Sequence, residues 1–185
     1  MDDTTFNAAL KHLGASLAAG VIDRQRYRRD LAELLQQQFG CSRVGLWQIF
    51  GERGGRVMRC LARHDEGEGA SDGGEEIRED DYRDYFAVLV SQGVYVAPDA
   101  WNDPVLAPMR DSYLVPANTR SMMDAAFTLN GRTFGVVCCE QTGRLRDWST
   151  AEVTQLKRAA AMITLHTARH ERGESGWWDT GQLDA

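Results

Sequence analysis

The sequence predicts an α+β fold, an α/β sandwich built on a largely antiparallel sheet flanked by helices. Three observations lead there. The apolar pattern alternates between helical spacing and strand-like runs, in the order helix, helix, strand, strand, helix, strand, helix, strand, strand, helix. Two pairs of neighbouring strands are separated only by short turn-forming segments, and Asn130-Gly131 is the strongest hairpin signal in the chain. Both ends of the chain read as amphipathic helices that can pack as a pair. At 185 residues the chain has the length of one domain with helical extensions, and it contains no internal repeat or second core.

The elements follow in order. Residues 3–19 form a first helix with Phe6, Leu10, Leu13 and Leu17 on one side, ended by Gly20. Asp23 is placed to cap a second helix that runs to about Gln38, with Tyr27, Leu31, Leu34 and Leu35 facing inward and Gly40 closing it. Residues 43–50 are rich in β-branched and aromatic side chains and read as a strand. Residues 51–55 make a turn, and 56–61 return. Residues 65–84 carry ten acids broken by four glycines and read as a mobile, solvated loop. Residues 79–92 are helical, with Tyr82, Tyr85, Phe86 and Leu89 on one side. A short strand follows at 94–96, then a loop between Pro98 and Pro104 and a helical turn or two across 104–114. Strands 121–129 and 132–141 form the closing hairpin. Ser149 and Glu152 fit a capping box for the last helix, whose Val153, Leu156, Ala160, Ile163 and Thr167 are spaced roughly as heptads. The division is therefore a helix at 1–20, a domain at 21–172 and a polar tail at 173–185 that contains Trp177 and Trp178.

Composition excludes several classes of function. The longest apolar runs span a few residues, against the ~20 of a membrane-crossing helix. The acidic start Met1-Asp2-Asp3 is unlike a secretory leader, so a cytoplasmic protein is expected. A net charge of -6 argues against nucleic acid as a partner, although Arg24, Arg26, Arg28 and Arg29 form a local basic cluster. No G-x-S-x-G, H-E-x-x-H or P-loop is present, and Gly51-x-x-Gly54-Gly55 reads as a turn rather than a phosphate cradle. The cysteines, Cys41, Cys60, Cys138 and Cys139, form no C-x-x-C. Adjacent strand residues point to opposite faces, so Cys138 and Cys139 face different sides. A metal site built from Cys41 and Cys60 across the first hairpin, with Cys139 and His64, has irregular spacing and is not expected. His12, His166 and His170 read as solvated.

The segment Gly131-Arg132-Thr133-Phe134-Gly135-Val136-Val137-Cys138-Cys139-Glu140, followed by Gly143, Arg146, Trp148 and Glu152, resembles the closing hairpin and last helix of a GAF domain. Arg43-Val44-Gly45-Leu46-Trp47 resembles the family's first strand. Tyr113-Leu114 with Ser121-Met122-Met123-Asp124 resembles the approach to its fifth. The likeness spans residues 24–172. It implies a six-stranded antiparallel sheet with helices on both sides, the terminal ones packed together. It also implies a small-molecule sensor that commonly dimerises through terminal helices.

The departures narrow the cofactor. No Asn-Lys pair is present, which argues against a cyclic nucleotide. Residues 109–114 contain no Cys, which argues against a covalently attached bilin. In this fold the segments between strands wall a ligand cavity. The resemblance therefore puts Tyr82, Tyr85, Trp101 and Tyr113 around it, with Asp103, Arg120, Ser121 and Asp124 as polar groups; Arg120 suits an anionic ligand. The alternative is a core under a long loop, with Arg120 paired to Asp124 or to the acidic segment. The expected function is a non-catalytic small-molecule sensor signalling through its terminal helices as a homodimer. A ligand-free scaffold for dimerisation or partner binding, and a small redox enzyme using Cys138 or Cys139, are the alternatives.

Overall fold

The computed structural model describes residues 1–170; the expectations for Trp177, Trp178 and the tail, and for the side chains of Thr167 and His170, lie outside the described part. Helices α1 (Asp3–Ala18) and α2 (Arg24–Phe39) lead into strands β1 (Arg43–Phe50) and β2 (Val57–Asp65), then short β3 (Gly69–Ser71) and β4 (Glu76–Arg78). Helix α3 (Arg83–Gln92), β5 (Val94–Ala97), β6 (Thr119–Leu129), β7 (Arg132–Thr142) and α4 (Thr150–His170) follow among the described residues. The sheet is antiparallel throughout, ordered β3-β2-β1-β7-β6-β5, with β4 also on β2.

The outer edge explains how six expected positions are filled by seven strands. Strand β3 pairs with Arg63–Asp65 and β4 with Val57–Arg59, so one irregular edge segment serves the length of β2. This corrects the expected mobile loop. Several of its acids are paired with arginines on neighbouring elements. Asp72 accepts bonds from Gln25 and Arg29 of α2, Glu75 meets Arg63 at 2.6 Å, and Glu76 takes Arg59 at 2.6 Å. The basic cluster and the acidic segment thus meet each other, which the chain's linear charge blocks do not reveal.

Local signals set the termini of the elements. Asp23 accepts the Arg26 N–H at 2.7 Å, and Gly40 ends α2 in the left-handed region at φ 54. Ser149 and Glu152 exchange the two bonds of a capping box. Asn130 and Gly131, at φ 50 and 78, form the tight turn between β6 and β7. Residues 104–114 are wound as a 3₁₀ turn, Ala107–Met109, and a π-helical turn, Arg110–Leu114, instead of an α-helix.

Alternation splits the core in two. On one face Val44, Leu46, Met123, Ala125, Phe127, Val137 and Cys139 pack under α1, α2 and α4. Helix α2 lies on β1 and β2, α4 on β6, and α1 against both. Phe6, Leu10, Leu17, Leu156, Ala160 and Ile163 are buried there, so the apolar stripes of the terminal helices are used within the chain. Gly14 of α1 admits the His166 ring so closely that a Cβ would lie 2.4 Å from Nδ1. His166 is therefore half-buried between helices, not solvated as expected. On the other face Trp47, Met58, Cys60, Met122, Val136 and Cys138 pack under α3 and the segment 98–118. No helix among the described residues is long and apolar enough to cross a membrane.

Candidate functional site

The second face is covered on one side by α3 and on the other by residues 98–118, which carry only the two short turns. Side chains at every second position of the central strands face this cover: Trp47 from β1, Met122 and Asp124 from β6, and Val136, Cys138 and Glu140 from β7. An extra residue at Leu61 in β2, where Leu46 pairs with Ala62 but Trp47 with Cys60, puts Cys60 and Arg63 on this side despite their odd separation.

Two polar clusters are set into it. In the first, Asp124 is 0% exposed and accepts the Tyr85 hydroxyl at 2.7 Å. Burial drives its carboxyl up to about 7; the bonds from Tyr85 and the Cys138 thiol hold it down, and the Glu140 charge adds to the rise. Burial likewise pushes the Tyr85 hydroxyl and the Cys138 thiol well above their ordinary ranges, with Asp124 contributing to both. In the second, buried Glu140 accepts three donors: Tyr113 Oη at 2.8 Å, Thr119 Oγ1 at 3.1 Å and Arg43 Nη1 at 3.1 Å. Arg43 also pairs with Asp65. Burial alone would lower the Arg43 guanidinium, but Glu140 and Asp65 hold it above its ordinary value.

The eight residues expected at the site separate into groups. Tyr85, Tyr113 and Asp124 are together. Asp103 joins them indirectly: it accepts the Tyr95 hydroxyl at 2.7 Å and the Val105 N–H at 2.9 Å, and the Tyr95 ring meets Tyr85 edge-on at 5.4 Å. Tyr82 lies at the rim, bonded to Ser112 at 2.9 Å. Trp101 and Arg120 form a separate stack, the guanidinium 4.2 Å from the ring centroid and 3.9 Å from Asp99. Arg120 therefore pairs with neither Asp124 nor the acidic segment. Ser121 turns away, donating to Pro98 O at 2.6 Å and accepting the Arg146 N–H at 2.7 Å.

Trp47, Tyr95, Cys138 and Glu140 complete the site beyond those eight. The two-residue spacing of Val136, Cys138 and Glu140 on a strand was the available signal. Large side chains fill much of the space: Trp47, Met58, Tyr85 and Phe86 are each at most 1% exposed. The indole N–H groups of Trp47 and Trp101 are buried without a partner.

The thiols do not gather in one site. Cys41 and Cys139 meet through a side-chain hydrogen bond on the helix-covered face, apart from Cys60 and Cys138 on the opposite one, so the hairpin does not bring Cys41 to Cys60. Burial raises the Cys60 thiol to about 12. Among the described residues no cluster of His, Cys, Asp and Glu suits a metal.

The GAF domain family profile matches residues 23–166. No curated protein matches the chain. Solved structures of similar fold include the blue-light absorbing form of the PixJ GAF domain from Thermosynechococcus elongatus, at 18% identity and TM-score 0.68 over 81% of this chain and 88% of that one. A phycoerythrobilin-bound GAF domain from a cyanobacterial phytochrome aligns at 15% identity and TM-score 0.72, over 90% and 96%. The chromophore-binding domain of the R. palustris bacteriophytochrome RpBphP3 aligns at 15% and 0.69, over 94% and 64%.

Proposed function

This chain belongs to the GAF domain family, and on that premise we propose that it is a non-catalytic sensor of a small molecule, with the loop-covered sheet face as its sensing side. The observation that carries this reading is the placement of two hydrogen-bonded polar clusters on an otherwise apolar sheet face, one around Asp124 within β6 and one around Glu140 toward the end of β7. Buried polar and ionisable groups are costly, and they are retained where a site needs them. The ligand enters by lifting residues 98–118, whose short turns open more readily than a packed helix. It is largely apolar, with one or two hydrogen-bond acceptors for the partnerless indole N–H groups of Trp47 and Trp101. Solved structures of similar fold hold biliverdin or phycoerythrobilin. In this chain residues 98–118 contain no cysteine, and its four cysteines are buried thiols, so a thioether-linked chromophore is not part of the proposal.

Output runs to α4. Pro98 begins the cover, and its carbonyl takes the Ser121 hydroxyl, which in turn receives the Arg146 N–H. The Arg146 guanidinium holds Glu152 in the first turn of α4 at 2.7 Å and the Phe39 and Gly40 carbonyls at the end of α2. A shift of the cover thus bears on the joint between α2 and α4. The outer face of α4, where Leu165 is 57% exposed, pairs with a second copy in the cytoplasm.

Native mass spectrometry of the purified chain, repeated after denaturation and combined with a thermal-shift screen of small molecules, tests the reading. A non-covalent mass lost on denaturation, or a stabilising compound whose effect disappears in Trp101→Ala, supports it. A bare chain that no compound stabilises favours the second reading, a scaffold whose face is filled by its own Trp47, Met58, Tyr85 and Phe86.

A further inference from the structure

Helix α3 has a second working side. Tyr85, Phe86 and Leu89 point into the sheet face, while Arg83, Ala87, Val90 and Ser91 line a cleft of about 750 Å3 at the hairpin end of the molecule. Its other walls are Arg53, Gly54 and Arg56, from the turn between β1 and β2, and Glu79, just after β4. A smaller adjoining cleft shares Arg56 and Val90 and adds Arg132. We infer that this arginine-lined cleft binds a small organic phosphate, at a site separate from the proposed sensing face.

The floor of the cleft already holds an anion. The Glu79 carboxylate accepts the Gly54 N–H at 2.8 Å and the Arg56 N–H at 3.0 Å, and lies 3.7 Å from the Arg56 guanidinium. The turn's donors and Arg56 are therefore satisfied from within, and a phosphate cradle of glycine N–H groups is not what remains. What remains is the rim. Arg53 makes no ion pair or hydrogen bond among the described residues. Among those residues Arg83 meets only Asp80, at 3.1 Å in a pair 76% and 63% exposed, where water screens the attraction.

Two guanidiniums with weak or no internal partners therefore converge on one cleft of a chain whose net charge is -6. Guanidinium groups match phosphate oxygens in pairs, which makes a phosphate a better occupant than a halide or a neutral ligand. Ala87 and Val90 add an apolar wall to the same cleft, so the phosphate carries an organic body. The volume lies in the range of about 300–1,000 Å3 typical of small-ligand sites.

Amide chemical-shift titration of the full chain tests this with three probes: n-butyl phosphate, inorganic phosphate and n-butanol. Saturable shifts confined to Gly54 and Arg83–Ser91 are expected, with butyl phosphate bound more tightly than either fragment. Loss of one charge-assisted contact, in Arg53→Ala or Arg83→Ala, weakens binding about tenfold. Both side chains are exposed, so the remaining spectrum stays unchanged. Arg144→Ala, an exposed arginine at the opposite end of the sheet, leaves affinity unaltered. Failure to saturate, equal loss in Arg144→Ala, or butanol binding as tightly as butyl phosphate overturns the inference. None of these outcomes bears on the sensing face.

Discussion

Asp124 makes the sharpest residue-level prediction. Its carboxyl stands at about 7 in the folded chain against 3.8 in the unfolded one, because burial outweighs the bonds from Tyr85 and Cys138. A raised carboxylate pKa means the folded state binds more protons between those values. The stabilisation is fully present below pH 4 and is lost as pH rises through 7, a swing of ~4 kcal/mol for a shift of this size. Melting temperature should therefore fall as pH rises from 5 to 8, and Asp124→Asn should flatten that slope. An unchanged slope in the variant would place the charge elsewhere. Glu140 offers a second check. Tyr113→Phe removes one of its three donors and should lower stability by about 1–2 kcal/mol in urea melts, since the remaining bonds still satisfy the carboxylate. At this scale the sequence was partly readable. Tyr85, Tyr113 and Asp124 lie on one sheet face, in two neighbouring clusters. Arg120 and Ser121 follow a different rule, because an irregularity between Thr119 and Ser121 shifts the register locally and no residue type announces it.

Elements were legible where their signals are local. The caps at Asp23 and Ser149 and the turn at Asn130 depend on residues three or fewer positions apart, and the structure follows them. Strands β3 and β4 were not legible, because their glycines and acids carry no β signal. They form because β2 offers an open edge and because Arg29, Arg59 and Arg63 offer charges. Two substitutions test what joins the elements. Gly135→Ala would place a Cβ 2.6 Å from the Trp47 carbonyl oxygen and 2.9 Å from the Phe127 ring, forcing β1 and β7 apart. Its expected cost is about 2–4 kcal/mol by chemical denaturation. Arg146→Ala removes the link from α2 to α4 and the guanidinium 4.2 Å from the centroid of the Trp148 ring. A loss of about 2–4 kcal/mol is expected, and Arg146→Lys should restore little of it, because an ammonium cannot hold several acceptors in one plane.

For the molecule as a whole, the sheet divides labour. One face is sealed by three helices with apolar side chains and gives rigidity. The other keeps Asp124 and Glu140 under α3 and a segment with little regular structure, residues 98–118. A hydrogen-bonded link between the two faces passes through Ser121 and Arg146. The alternation pattern predicts both faces, but which one carries polar clusters emerges only once register places Asp124, Cys138 and Glu140 side by side. The central claim is that the state of the covered face reaches α4. Amide hydrogen exchange of the full chain measures this directly, comparing wild type, Trp101→Ala and Trp101→Ala with Ser121→Ala. Loosening the cover at Trp101 should speed exchange across residues 98–118 and also in the first two turns of α4, with the effect on α4 lost in the double variant. Faster exchange confined to 98–118, with α4 unchanged in the single variant, would contradict the account.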